Sequence, residues 1–334
     1  MGKRILAATA VMVGLAFLAC GSVRAAAPEL TIKVAHVIAA GTPLDKMAHK
    51  FAELLKEKSG GKMVAEVYPN SSLGGNRELC EQLQLGSLEV AIPAVAFVGG
   101  FSKSTMVLDL PYLFKNNKAA EAVLDGEIGD WIWSELRKQG FVGLGFAAQG
   151  WRHLTSSREV RTPADMKGLK IRVMENPLHI AHFNTLGASA VPMAFSEVFT
   201  ALQQGAIDSQ ENPWCNIDMS RFYEVQKYII KTAHIYDPLA FMYSEVLWDQ
   251  LTEEQQRIIR ESASEAVAYE REQCYQDEID TEKKIADLGQ NIIIELSPEV
   301  RQEFFKAAQP VYDQYRSQIG AELIEKILKI QENM

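Results

Sequence analysis

The chain has 334 residues, 47% of them hydrophobic, and 34 basic against 43 acidic side chains give it a net charge of −9. This acidity argues against a nucleic-acid partner, because phosphate backbones bind basic surfaces. The four cysteines are too few and too widely spaced for a disulfide framework or a metal knuckle. We therefore expect Cys80, Cys215 and Cys274 to be small buried hydrophobic residues.

Residues 1–25 have the pattern of an export signal. Two basic residues precede an apolar run from Ile5 to Ala19, and the small residues near Ala25 suit cleavage by signal peptidase. The run is shorter than the roughly 20 residues of a membrane-spanning helix. We expect a periplasmic protein that does not span the membrane, with a lipid anchor at Cys20 as the alternative, since the residues before it loosely match a lipoprotein cleavage box.

The first half of the mature chain alternates strands and helices. Residues 32–37 are apolar enough for a buried strand, Thr42 caps a helix, and residues 63–68 alternate as a second strand. A helix begins at Asn76, and the apolar residues 88–96 follow as a strand covered on both faces. This βαβ order predicts an α/β fold with a parallel sheet.

A helix–glycine–strand unit occurs twice, with an offset of 119 residues. The segment ELCEQLQLGSLEVAIP begins at Glu78, and its counterpart EVFTALQQGAIDSQENP begins at Glu197. In each, a helical apolar pattern ends at a glycine, Gly86 or Gly205, that can close a helix in the left-handed conformation. The repeat predicts two lobes of similar build with a small-molecule site in the cleft between them.

The second lobe repeats the alternation and ends in a long helical pattern. Residues 169–174 form a predicted strand, residues 195–204 the second repeated helix, and residues 206–210 the strand after it. A capping box then opens a segment from 252 to 289 that nothing interrupts. It is either one helix of about 55 Å or two helices with a bend near 269–274.

Catalytic, cofactor and metal signatures are weak. The chain has no GxSxG nucleophile elbow and no phosphate loop with lysine. The glycine-rich segment 143–148 matches a dinucleotide fingerprint, but no helix follows it. His179 and His182 could share a helical face as metal ligands, although a surface or packed pair is favoured for lack of a convincing third ligand. We expect no enzyme activity, no cofactor and no metal site.

Four side chains are candidates for binding a ligand. Arg172 shares one face of its strand with Met174, where it is either solvated or directed at an anion. Arg152 follows a tryptophan and has a surface salt bridge as its alternative role. Asn212 and Trp214 end the second repeated strand, where the sheet meets the cleft, or else they form a turn around Pro213.

The chain resembles the DctP-type solute-binding proteins of tripartite ATP-independent periplasmic (TRAP) transporters over essentially its whole mature length. The matching stretches are YPNSSLGG from Tyr68, DLPYLF from Asp109, MKGLKIRV from Met166, PMAFSEV from Pro192 and QENP from Gln210. The resemblance implies a two-lobe periplasmic binding protein fold, type II-like, that closes on a small organic acid. It also implies delivery of that acid to membrane permease subunits.

The resemblance also implies a long helix spanning both lobes, which favours one continuous helix over 252–289. We expect lobe I to comprise residues 28–149 and 238–277, and lobe II to comprise 150–237 and 278–334. A monomer is expected. A receptor that presents its ligand to a sensor kinase is the alternative to transport.

By resemblance, Arg172 binds the ligand carboxylate, Arg152 adds a contact, and Asn212 supplies a third. Further candidates for the wall of the site are Trp214, Met174, Phe195, Phe97, Ala94, His36 and Tyr236. The run 91–98 offers few side-chain hydrogen bonds where many relatives carry polar groups. This favours a carboxylate with an apolar or aromatic body, such as a 2-oxo or aryl acid, over a sugar acid or a dicarboxylate.

Overall fold

A computed structural model of the protein describes residues 27–332 and 334. The predicted export signal and Cys20 lie outside the described residues. Helices surround two separate β-sheets, which confirms the predicted α/β class. None of the described helices is both long and apolar enough to cross a membrane.

The described residues form eleven strands. They are β1 (Leu30–Ala35), β2 (Met63–Tyr68), β3 (Val90–Ala91), β4 (Phe141–Trp151), β5 (His153–Ser156), β6 (Lys170–Val173), β7 (Ser189–Pro192), β8 (Ser209–Asn212), β9 (Tyr228–Lys231), β10 (Tyr236–Ser244) and β11 (Ile292–Glu295). The first sheet has the order β2-β1-β3-β10-β4, and the second has the order β11-β9-β5-β8-β6-β7.

Each sheet combines parallel and antiparallel strand pairs. In the first sheet β1 runs parallel to β2 and β3, whereas β10 is antiparallel to β3 and β4. In the second, β6 runs parallel to β7 and β8, and β5 is antiparallel to β8 and β9. Arg152 alone separates β4 from β5, so the chain passes from one sheet to the other at this residue.

Thirteen α-helices and three short 3₁₀ helices connect and cover the strands in the described part of the chain. The α-helices are α1 (Pro43–Lys58), α2 (Asn76–Leu85), α3 (Val95–Val98), α4 (Asn117–Leu124), α5 (Glu127–Arg137), α6 (Pro177–Thr185), α7 (Val198–Gln203), α8 (Trp214–Met219), α9 (Phe222–Val225), α10 (Glu245–Trp248), α11 (Glu253–Leu288), α12 (Pro298–Ile319) and α13 (Ala321–Ile330). The 3₁₀ helices are Lys103–Asp109, Pro163–Met166 and Phe195–Glu197.

The two repeated helices end as the sequence predicts. Helix α2 closes at Gly86, and α7, which continues the 3₁₀ turn Phe195–Glu197, is followed by Gly205. Both glycines have φ of 67°, in the left-handed region that a side chain would strain. The repeat is therefore a structural one, present once beside each sheet.

Helix α11 is continuous over 36 residues, which confirms the single-helix interpretation. The side chain of Thr252 accepts a hydrogen bond from the Gln255 backbone N–H, the Gln255 side chain accepts one from the Thr252 backbone N–H, and left-handed Gly289 ends the helix. Helix α11 packs against α1 and β4 on the first sheet and against α8 beside the second. It therefore bridges the two halves of the molecule.

The predicted strand over 88–96 is wrong beyond its first residues. Only Val90–Ala91 forms a strand, and the chain turns at Pro93, which has no N–H to continue a ladder. Ala94 makes an isolated antiparallel bridge to Leu239 of β10, and residues Val95–Val98 then form the short helix α3. Ala94 and Phe97 lie beside the space between the two sheets.

The apolar core divides between the sheets. The larger cluster surrounds the first sheet, and two smaller ones cover the second. The C-terminal residues contribute to both halves. Ile294 and Phe304 pack beside the second sheet, whereas the cluster of the first sheet includes Val311, Tyr312, Ile324 and Ile327. The division of the chain into lobe I and lobe II stays a prediction.

Candidate functional site

An internal cavity lies between the two sheets, at the carboxyl ends of β1, β3, β6 and β8. All the space between its side chains amounts to about 330 Å³, of which about 20 Å³ admits the centre of a water molecule, so the cavity is narrow in this closed form. It is lined by Val37, Ile38, Asn76, Ile92, Ala94, Phe97, Gln149, Arg152, Arg172, Met174, Phe195, Asn212, Asn216 and Leu239. Ligands of open α/β sheets bind at this edge, so the cavity is the candidate binding site.

Arg172 presents an unused hydrogen-bond donor to the cavity. Its side chain is only 1% exposed, and Nε and Nη2 both donate to the carbonyl oxygen of Met193, at 3.0 and 2.8 Å. Nη1 is buried and has no hydrogen-bond partner among the described residues. The guanidinium is thus fixed in orientation with one nitrogen left for an anion.

The environment of Arg172 disfavours its positive charge. Burial and, after it, the charge of Arg152 lower the pKa of the Arg172 guanidinium to about 10. The group still carries its charge at neutral pH, and the Phe195 ring lies 6.0 Å from its central carbon. A buried arginine whose charge lacks a close counterion is stabilised when a carboxylate enters beside it.

Arg152 has the opposite surroundings. Its Nε donates to Glu211, Nη1 donates to Asp237, and Nη2 donates to Glu211 Oε1 at 2.9 Å and to the Glu211 carbonyl oxygen at 2.6 Å. His234 Nε2 lies 3.0 Å from Glu211 Oε2. Arg152 is therefore held in a buried ion-pair network, not the surface salt bridge that was its predicted alternative role.

The pKa values of this network follow from burial and pairing. Burial opposes ionisation of Glu211, but Arg152 and His234 outweigh it and hold the pKa of that carboxyl well below its usual range. Burial raises the pKa of Asp237, against the attraction of Arg152. Burial also lowers the pKa of His234. The positive charge of Arg152 is thus matched by acidic groups of the protein itself.

Asn212 belongs to a chain of amide groups under the cavity. Asn216 Nδ2 donates to Asn212 Oδ1 at 3.0 Å, and Asn212 donates in turn to Gln210. Gln210 Nε2 donates to Thr155 Oγ1 at 3.0 Å, and Thr155 Oγ1 donates to Gln226. These bonds fix the Asn212 amide and leave it a second hydrogen and a second lone pair for a ligand.

Most of the residues predicted for the site line this cavity. They are Arg172, Arg152, Asn212, Met174, Phe195, Phe97 and Ala94. Their contact with a ligand stays a prediction.

Three predicted residues do not line the cavity. Trp214 is the first residue of α8 and turns into the core beside His153. His36 is buried after β1 with its Nε2 3.3 Å from Asp45 Oδ1. Tyr236 begins β10 and places its hydroxyl 3.1 Å from that of Tyr275.

Sequence reasoning missed two polar residues that the repeat could have found. Asn76 opens the first repeated helix as Phe195 opens the second, and the offset of 119 residues connects them. The same offset connects Phe97 with Asn216. All four line the cavity. Gln149 also lines it, and no pattern in the sequence marks that residue.

A wider groove lies on another side of the interface between the sheets, with an empty volume of about 1260 Å³. Three of its four lysine and arginine side chains are already engaged, and the fourth, Lys118, is exposed to solvent, where water screens its charge. Lys231 pairs with Glu282 and Glu295, Arg301 pairs with Glu295, and Lys115 Nζ donates to the Gln331 carbonyl oxygen. This groove is a weaker anion site than the cavity beside Arg172.

Metal ligands do not converge in the described part of the chain, where no group of three or more His, Cys, Asp or Glu side chains could hold an ion. His179 and His182 are both buried. His179 Nε2 lies 3.3 Å from Asp109 Oδ1, and the ring of His182 stacks on that of His234.

Residues 34–318 match the family model described as DctP, bacterial extracellular solute-binding protein, family 7. The chain belongs to this family. DctP-type proteins are the solute-binding components of TRAP transporters, so this DctP-family chain is an extracytoplasmic transport protein that binds small carboxylates and works with membrane components. The C4-dicarboxylate-binding protein DctB of Bacillus subtilis is 35% identical over 309 residues, which cover 91% of this chain and 87% of DctB.

Solved structures of this family share the fold. A TRAP periplasmic solute-binding protein from Shewanella oneidensis with bound succinate has a TM-score of 0.89 and 33% identity, covering 92% of this chain and all of the other. The sugar acid binding protein DctPAm from Advenella mimigardefordensis, in complex with galactonate, has a TM-score of 0.88 and 33% identity, covering 90% and 97%. These relatives confirm the predicted two-lobe architecture.

Proposed function

We propose that this DctP-family protein captures a small carboxylate in the cavity between its sheets, with Arg172 as the anchor, and delivers it to the permease subunits of a TRAP transporter. The observation that carries the proposal is the buried Nη1 of Arg172, a charged donor without a partner in the described chain. An ionised oxygen is the acceptor that matches it best.

Binding and closure of the two halves are coupled in this proposal. The cavity wall combines Ala94 and Phe97 from the first half with Arg172 and Phe195 from the second. Separation of the halves gives the guanidinium access to water, whereas closure without an anion leaves the charge desolvated. A carboxylate therefore favours the closed form through its differential contact with Arg172.

In this proposal, the part of the acid beyond its carboxylate contacts both apolar and polar side chains of the cavity. Apolar side chains of Ile92, Phe97, Met174 and Leu239 support the 2-oxo or aryl acid that the run 91–98 favours. The relatives broaden the choice, since one structure holds succinate and another galactonate. The common requirement is one carboxylate.

Calorimetric titration and thermal shift of the mature protein test the proposal. The probes are phenylacetate, 2-oxobutyrate, succinate and galactonate, and phenylacetamide and succinamide serve as matched controls without charge. We expect at least one acid to bind and raise the melting temperature while neither amide does. Failure of all four acids, or equal binding of an acid and its amide, would contradict a carboxylate site.

A further inference from the structure

Two amide side chains of the cavity have unused hydrogen-bonding atoms. Gln149 is 4% exposed and Asn76 is 7% exposed, and both line the same space as Arg172. Gln149 Nε2 and Asn76 Oδ1 are buried and lack hydrogen-bond partners among residues 27–332 and 334. Together with Arg172 Nη1, the residues that line the cavity therefore carry two unused donors and one unused acceptor.

Such groups are uncommon in a folded interior. Most buried polar atoms have a partner, because a desolvated amide without one destabilises the folded state. The contrast within this cavity is direct, since the Asn212 and Asn216 amides are bonded to each other and onward to Gln210. The free atoms on Gln149 and Asn76 therefore point to groups that the ligand supplies.

The unused donor and acceptor atoms indicate which functional group of a ligand could bond them. A carboxylate oxygen accepts and cannot donate, so it can satisfy Arg172 and Gln149 but not Asn76 Oδ1. An apolar body satisfies neither amide. A hydroxyl both donates and accepts, and one hydroxyl, or two neighbouring ones, can bond Gln149 and Asn76 together.

We propose that Gln149 and Asn76 form a hydroxyl-recognition site, so that the ligand of this protein is a hydroxy acid. The inference rests on the proposed function, with Arg172 binding the carboxylate while Gln149 and Asn76 select a hydroxylated body. It replaces the apolar or aryl body that the sequence favours, because that body would leave both amides unbonded at closure. Asn76 comes from α2 and Gln149 from β4, so both belong to the half opposite Arg172.

The test compares acids that share a carbon skeleton. The pairs are 3-hydroxybutyrate with butyrate, malate with succinate, and galactonate with hexanoate, each titrated into the mature protein. In at least one pair, we expect the hydroxylated member to bind at least tenfold more tightly, since a site built around a hydroxyl rejects the analogue that lacks it.

Two near-isosteric variants test whether Gln149 and Asn76 cause the preference for the hydroxylated acid. In Gln149→Met and in Asn76→Leu, the affinity for the hydroxy acid should fall about tenfold or more while the affinity for its partner acid stays equal or rises. The ligand-free Gln149→Met variant should melt at or above the wild-type temperature, because it removes a buried amide that has no partner for Nε2.

Gln331→Met is the matched control. Gln331 is also buried, but its amide bonds the Leu113 and Ile327 carbonyl oxygens and the Lys115 N–H. This variant should melt below wild type and keep the hydroxy-acid preference. Equal binding within all three pairs, or a preference that survives in both cavity variants, would overturn the hydroxyl site and leave the carboxylate site standing. Absence of binding by all six acids would overturn both.

Discussion

Arg152 and Arg172 are two buried arginines of one cavity with opposite surroundings. Arg152 lies where the chain passes between sheets, and Glu211 and Asp237 of the protein neutralise it. Arg172 lies in β6, donates only to a backbone carbonyl, and keeps Nη1 without a partner in the described residues. The first guanidinium is neutralised within the fold, whereas the second has a buried donor that no described residue accepts.

The comparison shows how burial alone fails to identify a binding residue. Both side chains are 1% exposed. Their difference lies in the acceptors around them, since a buried charge that the protein itself compensates has little to gain from a ligand. A group that nothing compensates gains the full charge-assisted interaction when the ligand arrives.

The largest expected effect is on folding, from Arg152→Met. This variant leaves Glu211 and Asp237 buried without their cation, and we expect the free energy of unfolding to fall by about 3–5 kcal/mol in urea denaturation. Adding Glu211→Gln and Asp237→Asn to the same chain should restore part of the loss, because it removes the uncompensated charges. An unchanged stability in the single variant would mean that Arg152 is not structural.

The next effect is on binding, from Arg172→Met. Loss of two charge-assisted bonds of about 1.5 kcal/mol or more each corresponds to at least roughly 100-fold weaker carboxylate binding by calorimetry. Stability of the ligand-free protein should change little, since the variant loses the bonds to Met193 but also removes a desolvated charge. Arg172→Lys keeps the positive charge but loses the planar guanidinium. Its affinity for the carboxylate should lie between those of the wild type and Arg172→Met. Near-native affinity in Arg172→Met would remove this residue from the site.

The buried carboxyl group of Glu270 can be compared with the two buried arginines. Glu270 on α11 accepts a hydrogen bond from the Ala148 N–H at 2.9 Å, and its Oε1 has no partner among the described residues. Burial raises the pKa of Glu270 to about 8. A carboxyl, unlike a guanidinium, can take up a proton, so this site is neutralised without a ligand.

The smallest expected effect is therefore a dependence of the free energy of unfolding on pH. The stability that neutral Glu270 contributes is fully present below the unfolded pKa near 4.5 and is lost as pH rises through about 8. We expect the free energy of unfolding to decline between pH 6 and 8 by about 1 kcal/mol per pH unit. Glu270→Gln should flatten this decline.

The exposed Glu261 on the same helix provides the control for that measurement. Its side chain is 44% exposed, so Glu261→Gln should leave the pH profile of the wild type unchanged. A profile for Glu270→Gln that matches wild type would show that the buried carboxyl does not take up a proton on folding.

Local patterns determined much of the fold and part of the site. The cap at Thr42, the capping box at Thr252 and the glycines Gly86 and Gly205 act through neighbouring backbone groups, so helix ends could be predicted from short segments. The alternation around Arg172 also holds, with Ile171 in the core.

Tertiary contacts decided the rest, because they join residues that are far apart in the chain. The strand after Leu88 ends at Ala91, two residues before Pro93, although the apolar composition of this segment suits a longer strand. Pairing of Arg152 with Asp237 spans 85 residues, and no sequence pattern separates that arginine from Arg172. The sequence predicts both arginines as ligand candidates, but only the packed structure decided which of them the protein compensates, since compensation depends on distances that the fold creates.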